Sequence, residues 1–289
     1  MSNIYEIVTD KIVKQLDKGI VPWNKPWTCS TGAVSHYNGR PYSLLNQILL
    51  MDEDEDLTDL KGREYVTFTQ IKAEGGSIRK GEKSKMVVFW KMYDKETDET
   101  DSNGNKVVKR VATLRYYNVW EVGQCEGVKR KYEVTERHHN PIAEAEVIVT
   151  SYFEREACTL EITESDRAFY SPSRDLVHVP QPSQYDDIAE YYSTLFHEMT
   201  HSTGHKSRCD RNVGGLVAYG MEEYSREELV AEMGAAFLMN TAGIESPKAF
   251  RNSVGYIQGW SRKLKEDPKM FVTAAGKAEK AVNYILNIG

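Results

Sequence analysis

Two histidines four residues apart, with an acid directly after the first, give this 289-residue chain its densest chemical signal: His197, Glu198 and His201 in the run LFHEMTH. On a helix such a pair lies on one face a turn apart, so both imidazoles can hold one metal ion. Glu198, beside the first ligand, can take a proton from water held by that metal, which is the chemistry of a zinc-dependent hydrolase. Zinc in a catalytic site needs a third protein ligand and an open position. Gly204 sits three residues after His201, as in the longer motif HExxHxxGxxH, but Ser207 stands where that motif needs histidine. His205 lies four after His201, although Gly204 is placed to end the helix before it. The stronger route is SREELVAEMGAAFL at 225–238, where Glu228 and Glu232 share a helix face. Glu228 is expected as the third ligand and Glu232 as an outer carboxylate that orients a ligating histidine. Ser225 and Glu228 also have capping-box spacing, which is the competing role for Glu228. Glu227 points elsewhere on that helix and reads as solvated. Zn²⁺ is the expected ion, and a His2Glu set also accepts Mn²⁺. Tyr219, Tyr224 and His205 are candidates to stabilise a developing oxyanion.

Positioning these groups requires two helices, read at 184–204 and 225–242 from their apolar periodicity. Further helices are expected at 142–155, 247–265 and 270–286, with short strands at 159–163, 167–170 and 176–179. A polar seam at 133–140 separates this half from an α+β first half. There Ile4, Val8, Ile12 and Leu16 mark a helix that stops at Gly19, and 44–51 marks a second. Thr67 caps a short helix ending at Gly75-Gly76, and two apolar strands at 85–93 and 107–119 flank a loop with Asn103-Gly104. The expected fold class is therefore α+β in two domains, 1–135 and 141–289.

Composition is that of a soluble globular protein, with 40% hydrophobic and 28% charged residues. No stretch approaches the roughly 20 apolar residues of a membrane helix, and the N-terminus has no signal-peptide core. Four scattered cysteines (Cys29, Cys125, Cys158, Cys209) without CxxC spacing suit a reducing compartment. The expectation is a cytoplasmic protein with no membrane partner. Net charge is -6 overall, yet residues 1–135 carry +1 and residues 136–289 carry -7. Acids bunch at 51–60 and 94–101 and read as solvated loops, so the rest of the first half can present a basic face.

Bases and rings interleave in that first half: Trp23, Lys25, Trp27; Arg40, Tyr42; Phe89, Trp90, Lys91, Tyr93; Arg115, Tyr116, Tyr117. Single strands of nucleic acid bind in basic grooves whose rings stack on bases. Arg79, Lys80 and Lys83 in GSIRKGEKSK can lie along phosphates. In a strand alternate rings face the core, so Trp23 and Trp27, in a Pro-rich loop, are the preferred stacking pair.

The second half resembles the zincin-like metallopeptidase domain of ArdC-type antirestriction proteins, through LFHEMTHSTGH, KSRCDRN, YSREELVAEMGAAFL and GKAEKAVNYIL. The first half is similar to the single-stranded-DNA-binding domain of the same family, through PWNKPW, NGRPYSLLN, TFTQIKAEGGSIRKGEKSKMVVFWK and LRYYNVWEVGQCEGV. The resemblance implies a DNA-binding domain at 1–135 and a zincin-like domain at 141–289. It further implies a plasmid- or transposon-borne protein that shields conjugative DNA from restriction, with single-stranded DNA and an unidentified protein substrate as partners. Two other readings stay open. One is a DNA-binding protein whose metal site is structural or vestigial; the other is a metallopeptidase whose first domain binds protein.

Overall fold

A computed structural model of the chain describes residues 3–24, 32–51, 62–100, 106–132, 140–211, 222–244 and 254–288. Helix α1, Ile4–Asp17, starts at Asn3, whose side chain and that of Glu6 form a reciprocal capping box. Its apolar stripe of Val8, Ile12 and Leu16 is fully buried. Gly19, at φ +83°, supplies the left-handed residue that ends it. Strand β1 (Val34–Ser35), helix α2 (Leu44–Leu50) and strand β2 (Glu64–Thr67) follow. Thr67 and Gln70 then cap α3, Phe68–Ala73, as the spacing predicts. The short β3 (Ser77–Ile78) leads into β4 (Lys85–Thr100) and β5 (Lys106–Glu121), and β6 (Cys125–Glu126) pairs back on β3.

The main sheet has the order β1-β2-β5-β4, with β1 parallel to β2 and the remaining pairs antiparallel. The β4–β5 hairpin is longer than its apolar core predicts. Each strand has 16 residues, or roughly 50 Å of extended chain. The acidic run at 94–100 is strand rather than loop, because β5 brings Arg110 opposite Asp94 and Lys109 into an ion pair with Glu99 at 2.8 Å. The acidic run from 52, the turn with Asn103, the seam at 133–139 and Trp27 lie outside the described residues.

The second half begins with α4 (Pro141–Arg155), capped by Asn140, then β7 (Thr159–Thr163), β8 (Phe169–Ser171) and β9 (Leu176–Pro180). These strands form a sheet of order β7-β9-β8. Helix α5 (Ile188–Ser202) starts at an Asp187 cap, four residues later than the periodicity predicts. Helices α6 (Glu222–Ala242), α7 (Val254–Glu266) and α8 (Met270–Ile285) complete the chain. Helix α6 begins before Ser225, so Ser225 is an interior residue whose hydroxyl takes a hydrogen bond from Lys263 at 2.7 Å. Glu228 is thereby freed from capping.

The fold is two-domain α+β, and its central element is α6. Leu229, Val230 and Met233 belong to one buried cluster with α1, α2, the main sheet, Trp260 of α7 and Phe271 of α8. Ala235, Leu238 and Met239, one turn on, belong to a second cluster with α4, β9 and α5. A helix apolar on opposite sides has to sit between two layers. Trp23 corrects an expectation. It is 1% exposed and packs edge-on to Trp260 at 6.3 Å and against Phe271 at 5.7 Å. The short 3-10 turn Pro22–Asn24 aims the ring inward, so it is core and not a base-stacking platform. Trp23→Ala should therefore cost about 3–5 kcal/mol in denaturant unfolding. Folded variant with unchanged stability but weakened DNA affinity would contradict this assignment.

Candidate metal centre

Helix α5 carries the histidine pair on its one partly exposed stripe, where Glu190, Thr194, His197 and His201 follow one another at helical spacing while the residues beside them are buried. His197 and His201 place their Nε2 atoms 3.1 Å apart, with ring centroids at 4.7 Å and planes at 80°. Glu228 reaches across from α6, its two carboxylate oxygens 3.6 Å from His197 Nε2 and 3.4 Å from His201 Nε2. The three donor atoms lie within 4.8 Å of one another. A tetrahedral ion with bonds of about 2.0–2.1 Å has edges of roughly 3.3–3.4 Å, so these separations fit one divalent cation.

The helices can approach this closely because residue 234 on α6 is glycine. A Cβ there would meet the Thr200 side chain of α5 at 2.5 Å. Thr200 cannot rotate away freely, since its hydroxyl donates to the Phe196 carbonyl at 2.7 Å. The C-terminal end of α5 is held by two arginines of KSRCDRN. Arg208 donates to the Ser202 carbonyl at 2.8 Å and pairs with Asp175 in the β8–β9 turn. Arg211 donates to the Thr200 carbonyl at 2.8 Å and to the Thr203 hydroxyl at 2.7 Å. Guanidinium groups here satisfy carbonyls that the helix end leaves open.

Arg211 also grips Glu227 at 2.7 Å, and Glu227 lies 3.4 Å from His201 Nδ1. The expected roles of two acids therefore change. Glu227 is 6% exposed, not solvated, and is the outer carboxylate that fixes a histidine ring. Glu232 is half-buried one turn beyond Glu228, and it does not take that role: His201 Nδ1 faces Glu227, and His197 Nδ1 has no hydrogen-bond partner among the described residues. The signal in the sequence was the doublet Glu227-Glu228, whose neighbours on a helix point about 100° apart. One acid faces the histidine nitrogens and the other faces the arginine behind them.

Charge in the centre is strongly coupled. Burial opposes a proton on His201, but Glu227, Glu228 and Glu198 outweigh it and push its pKa up to about 10. Burial likewise works to raise Glu228, while both histidines hold its carboxyl far below the usual range. Glu227 is also lowered: burial raises it, and His201 and Arg211 overcome that. Glu198 is 9% exposed beside His197, and its charge reaches both His201 and Tyr185. Tyr185, in the turn before α5, is a group that the sequence did not single out. His205 hydrogen-bonds Ser207 at 2.8 Å and stays out of the ligand set. Tyr219 and the side chain of Tyr224 lie outside the described residues.

The other expected contact residues lie away from this centre. Arg40, Arg79, Lys80 and Lys83 are exposed, the last three between β3 and β4. Tyr42 is half-buried, its ring edge-on to Tyr65 at 6.3 Å, and burial pushes its hydroxyl pKa up to about 12. Among the described residues no helix is long and apolar enough to cross a membrane.

A cation at His201 Nε2 must displace a proton that the ring keeps up to about pH 10. Metal affinity should therefore rise as pH rises, roughly tenfold per unit between about pH 6 and 8. Calorimetric titration with Zn²⁺ or Mn²⁺ checks this, and a pH-independent affinity would contradict the coupling.

Residues 148–277 match the family model of a zincin-like metallopeptidase, and residues 2–120 match that of the N-terminal domain of the anti-restriction factor ArdC. Two Escherichia coli proteins named DNA primase TraC are 32% and 31% identical over 98% of this chain, which spans only 27% and 20% of their lengths. A Sinorhizobium fredii protein, y4eC, of uncharacterised function, is 28% identical, and the match covers 92% of it. The metal-free crystal structure of the antirestriction protein ArdC from plasmid R388 superposes with a TM-score of 0.73 at 29% identity, covering 99% of this chain and 98% of that one. The Mn(II)-bound form of the same protein gives 0.70 at 28% identity over the same shares. An ArdC-type N-terminal domain followed by a zincin-like domain, matched in order along nearly the whole chain, makes this protein a member of the ArdC-type antirestriction family.

Proposed function

We propose that this chain binds single-stranded DNA and carries a divalent-metal peptidase site, acting in the cytoplasm to protect DNA that enters by conjugation. The observation that carries the enzymatic half is the convergence of His197, His201 and Glu228 beside the buried carboxylate of Glu198. The Mn(II)-bound form of ArdC from plasmid R388 supports a divalent cation there, and the two-histidine, one-carboxylate donor set suits Zn²⁺ as well as Mn²⁺. When bound, such an ion supplies Lewis-acid polarisation of a carbonyl and acidifies water.

The chain's own residues supply the rest. His197, His201 and Glu228 hold the ion, and Glu227, clamped by Arg211, keeps the Nδ1 proton of His201 in place so that Nε2 presents its lone pair. Glu198 acts as the general base, accepting a proton from the attacking water and returning it to the leaving amine of a protein substrate. The DNA half rests on the ArdC-type N-terminal match and on the likeness to proteins named DNA primase, in which this unit is one part of a longer chain.

Glu198→Gln removes the base and keeps its shape. The variant should bind metal as the parent does and lose peptide hydrolysis, read with a quenched-fluorescent peptide library and calorimetry. Retained hydrolysis would overturn the assigned role of Glu198. Loss of hydrolysis with undiminished antirestriction in cells would show that protection comes from occupying the strand.

A further inference from the structure

The β4–β5 hairpin divides its charge unevenly between its two faces. Side chains alternate along a strand and cross-strand partners share a face, so the register fixes which positions lie together. One face holds residues 85, 87, 89, 91, 93 and 95 of β4 opposite 119, 117, 115, 113, 111 and 109 of β5. Those twelve positions include three rings, Phe89, Tyr93 and Tyr117, and five bases, Lys85, Lys91, Lys95, Lys109 and Arg115, but no acid. On the other face Asp94 stands opposite Arg110; Leu114 and Val88 there are buried, as are Val87 and Val119 at the sheet end of the basic face.

The basic face is built for flat, anionic ligands. Phe89 and Tyr117 stack in parallel, with centroids 4.4 Å apart and planes at 4°. Arg115 is the direct partner of Phe89, so a guanidinium borders the stack. Tyr117 is 54% exposed and Tyr93 44%; Trp90 and Tyr116 on the other face are open to a similar degree, so it is the charge that distinguishes the two faces. Tyr93 follows Phe89 by four residues, or roughly 13 Å along the strand. Lys85 is tied to the Leu50 carbonyl and Lys109 to Glu99, leaving Lys91, Lys95 and Arg115 exposed without an ion pair among the described residues.

We propose that this face of the hairpin is the track for single-stranded DNA, with bases stacked on Tyr117 and Tyr93 and phosphates on Arg115, Lys91 and Lys95. The proposal rests on the DNA-binding reading above and moves the contact from the Pro-Trp loop to the sheet. A closed duplex hides its base faces, so rings along a strand favour unpaired bases.

The test is fluorescence anisotropy of a labelled oligothymidylate with the full chain over a salt series, each variant being checked by thermal melting. Tyr117→Ala should weaken binding roughly tenfold, and Tyr117→Phe should restore it. Lys91→Ala and Arg115→Ala should each reduce the slope of log affinity against log salt by roughly 0.7. Parent-like binding in Tyr117→Ala and Arg115→Ala, with loss in Lys80→Ala/Lys83→Ala or Trp90→Ala, would overturn the assignment of this face while leaving the DNA reading intact. Failure of the parent chain itself to bind at low salt would overturn the DNA reading and this proposal with it.

Discussion

The close approach of α5 and α6 at Thr200 and Gly234 is the contact on which the metal centre depends. One helix supplies both histidines and the other the carboxylate, and neither can gather three ligands alone. A methyl group at position 234 would lie 2.5 Å from the Thr200 side chain, well inside contact distance. Glycine inside a helix costs about 1 kcal/mol against alanine, so its presence in the middle of a 21-residue helix has to be offset by something it permits. What it permits is Glu228 at 3.4–3.6 Å from the two imidazole nitrogens.

The rest of the molecule holds these helices at that separation. Helix α6 is buried on two sides, one cluster anchoring its first turns to the N-terminal sheet and α1, the next anchoring its later turns to α4 and α5. The zincin-like half is therefore packed against the proposed DNA half through a shared apolar core, in which Trp23 contacts both α7 and α8. Behind the ligands, Arg211 ties Glu227 to the last turn of α5, so the same side chain finishes the helix and fixes the carboxylate that faces His201. A carboxylate in that position orients the ring and raises its basicity.

Much of this was legible in the chain. The spacing of His197 and His201 places them on one helix face, and the carboxylate of Glu228 does join them. Periodicity also located α1 and the strand at 159–163, and residue type located the Thr67 cap. What failed depended on tertiary packing. A Trp in a Pro-rich loop has no period to reveal its direction, and Trp23 turned inward because α7 and α8, more than 200 residues later, offer it aromatic partners. Strand alternation assigns half of the hairpin rings to the core, but a hairpin this long runs past the core that would cover them. Whether Glu227 or Glu232 supports a histidine depended on where Arg211 lies, and its distance in the chain does not show that. Residues from 94 to 100 were read as loop from their acidity, whereas cross-strand bases make that run a strand.

Divalent-metal titration of Gly234→Ala beside Glu228→Gln tests the central claim most directly, with both affinities compared to the parent by calorimetry. If the helix approach positions the third ligand, Gly234→Ala should weaken binding roughly 10–100-fold although no ligand has changed, and Glu228→Gln should lose at least as much. Parent-like affinity in the folded Gly234→Ala protein would contradict the account.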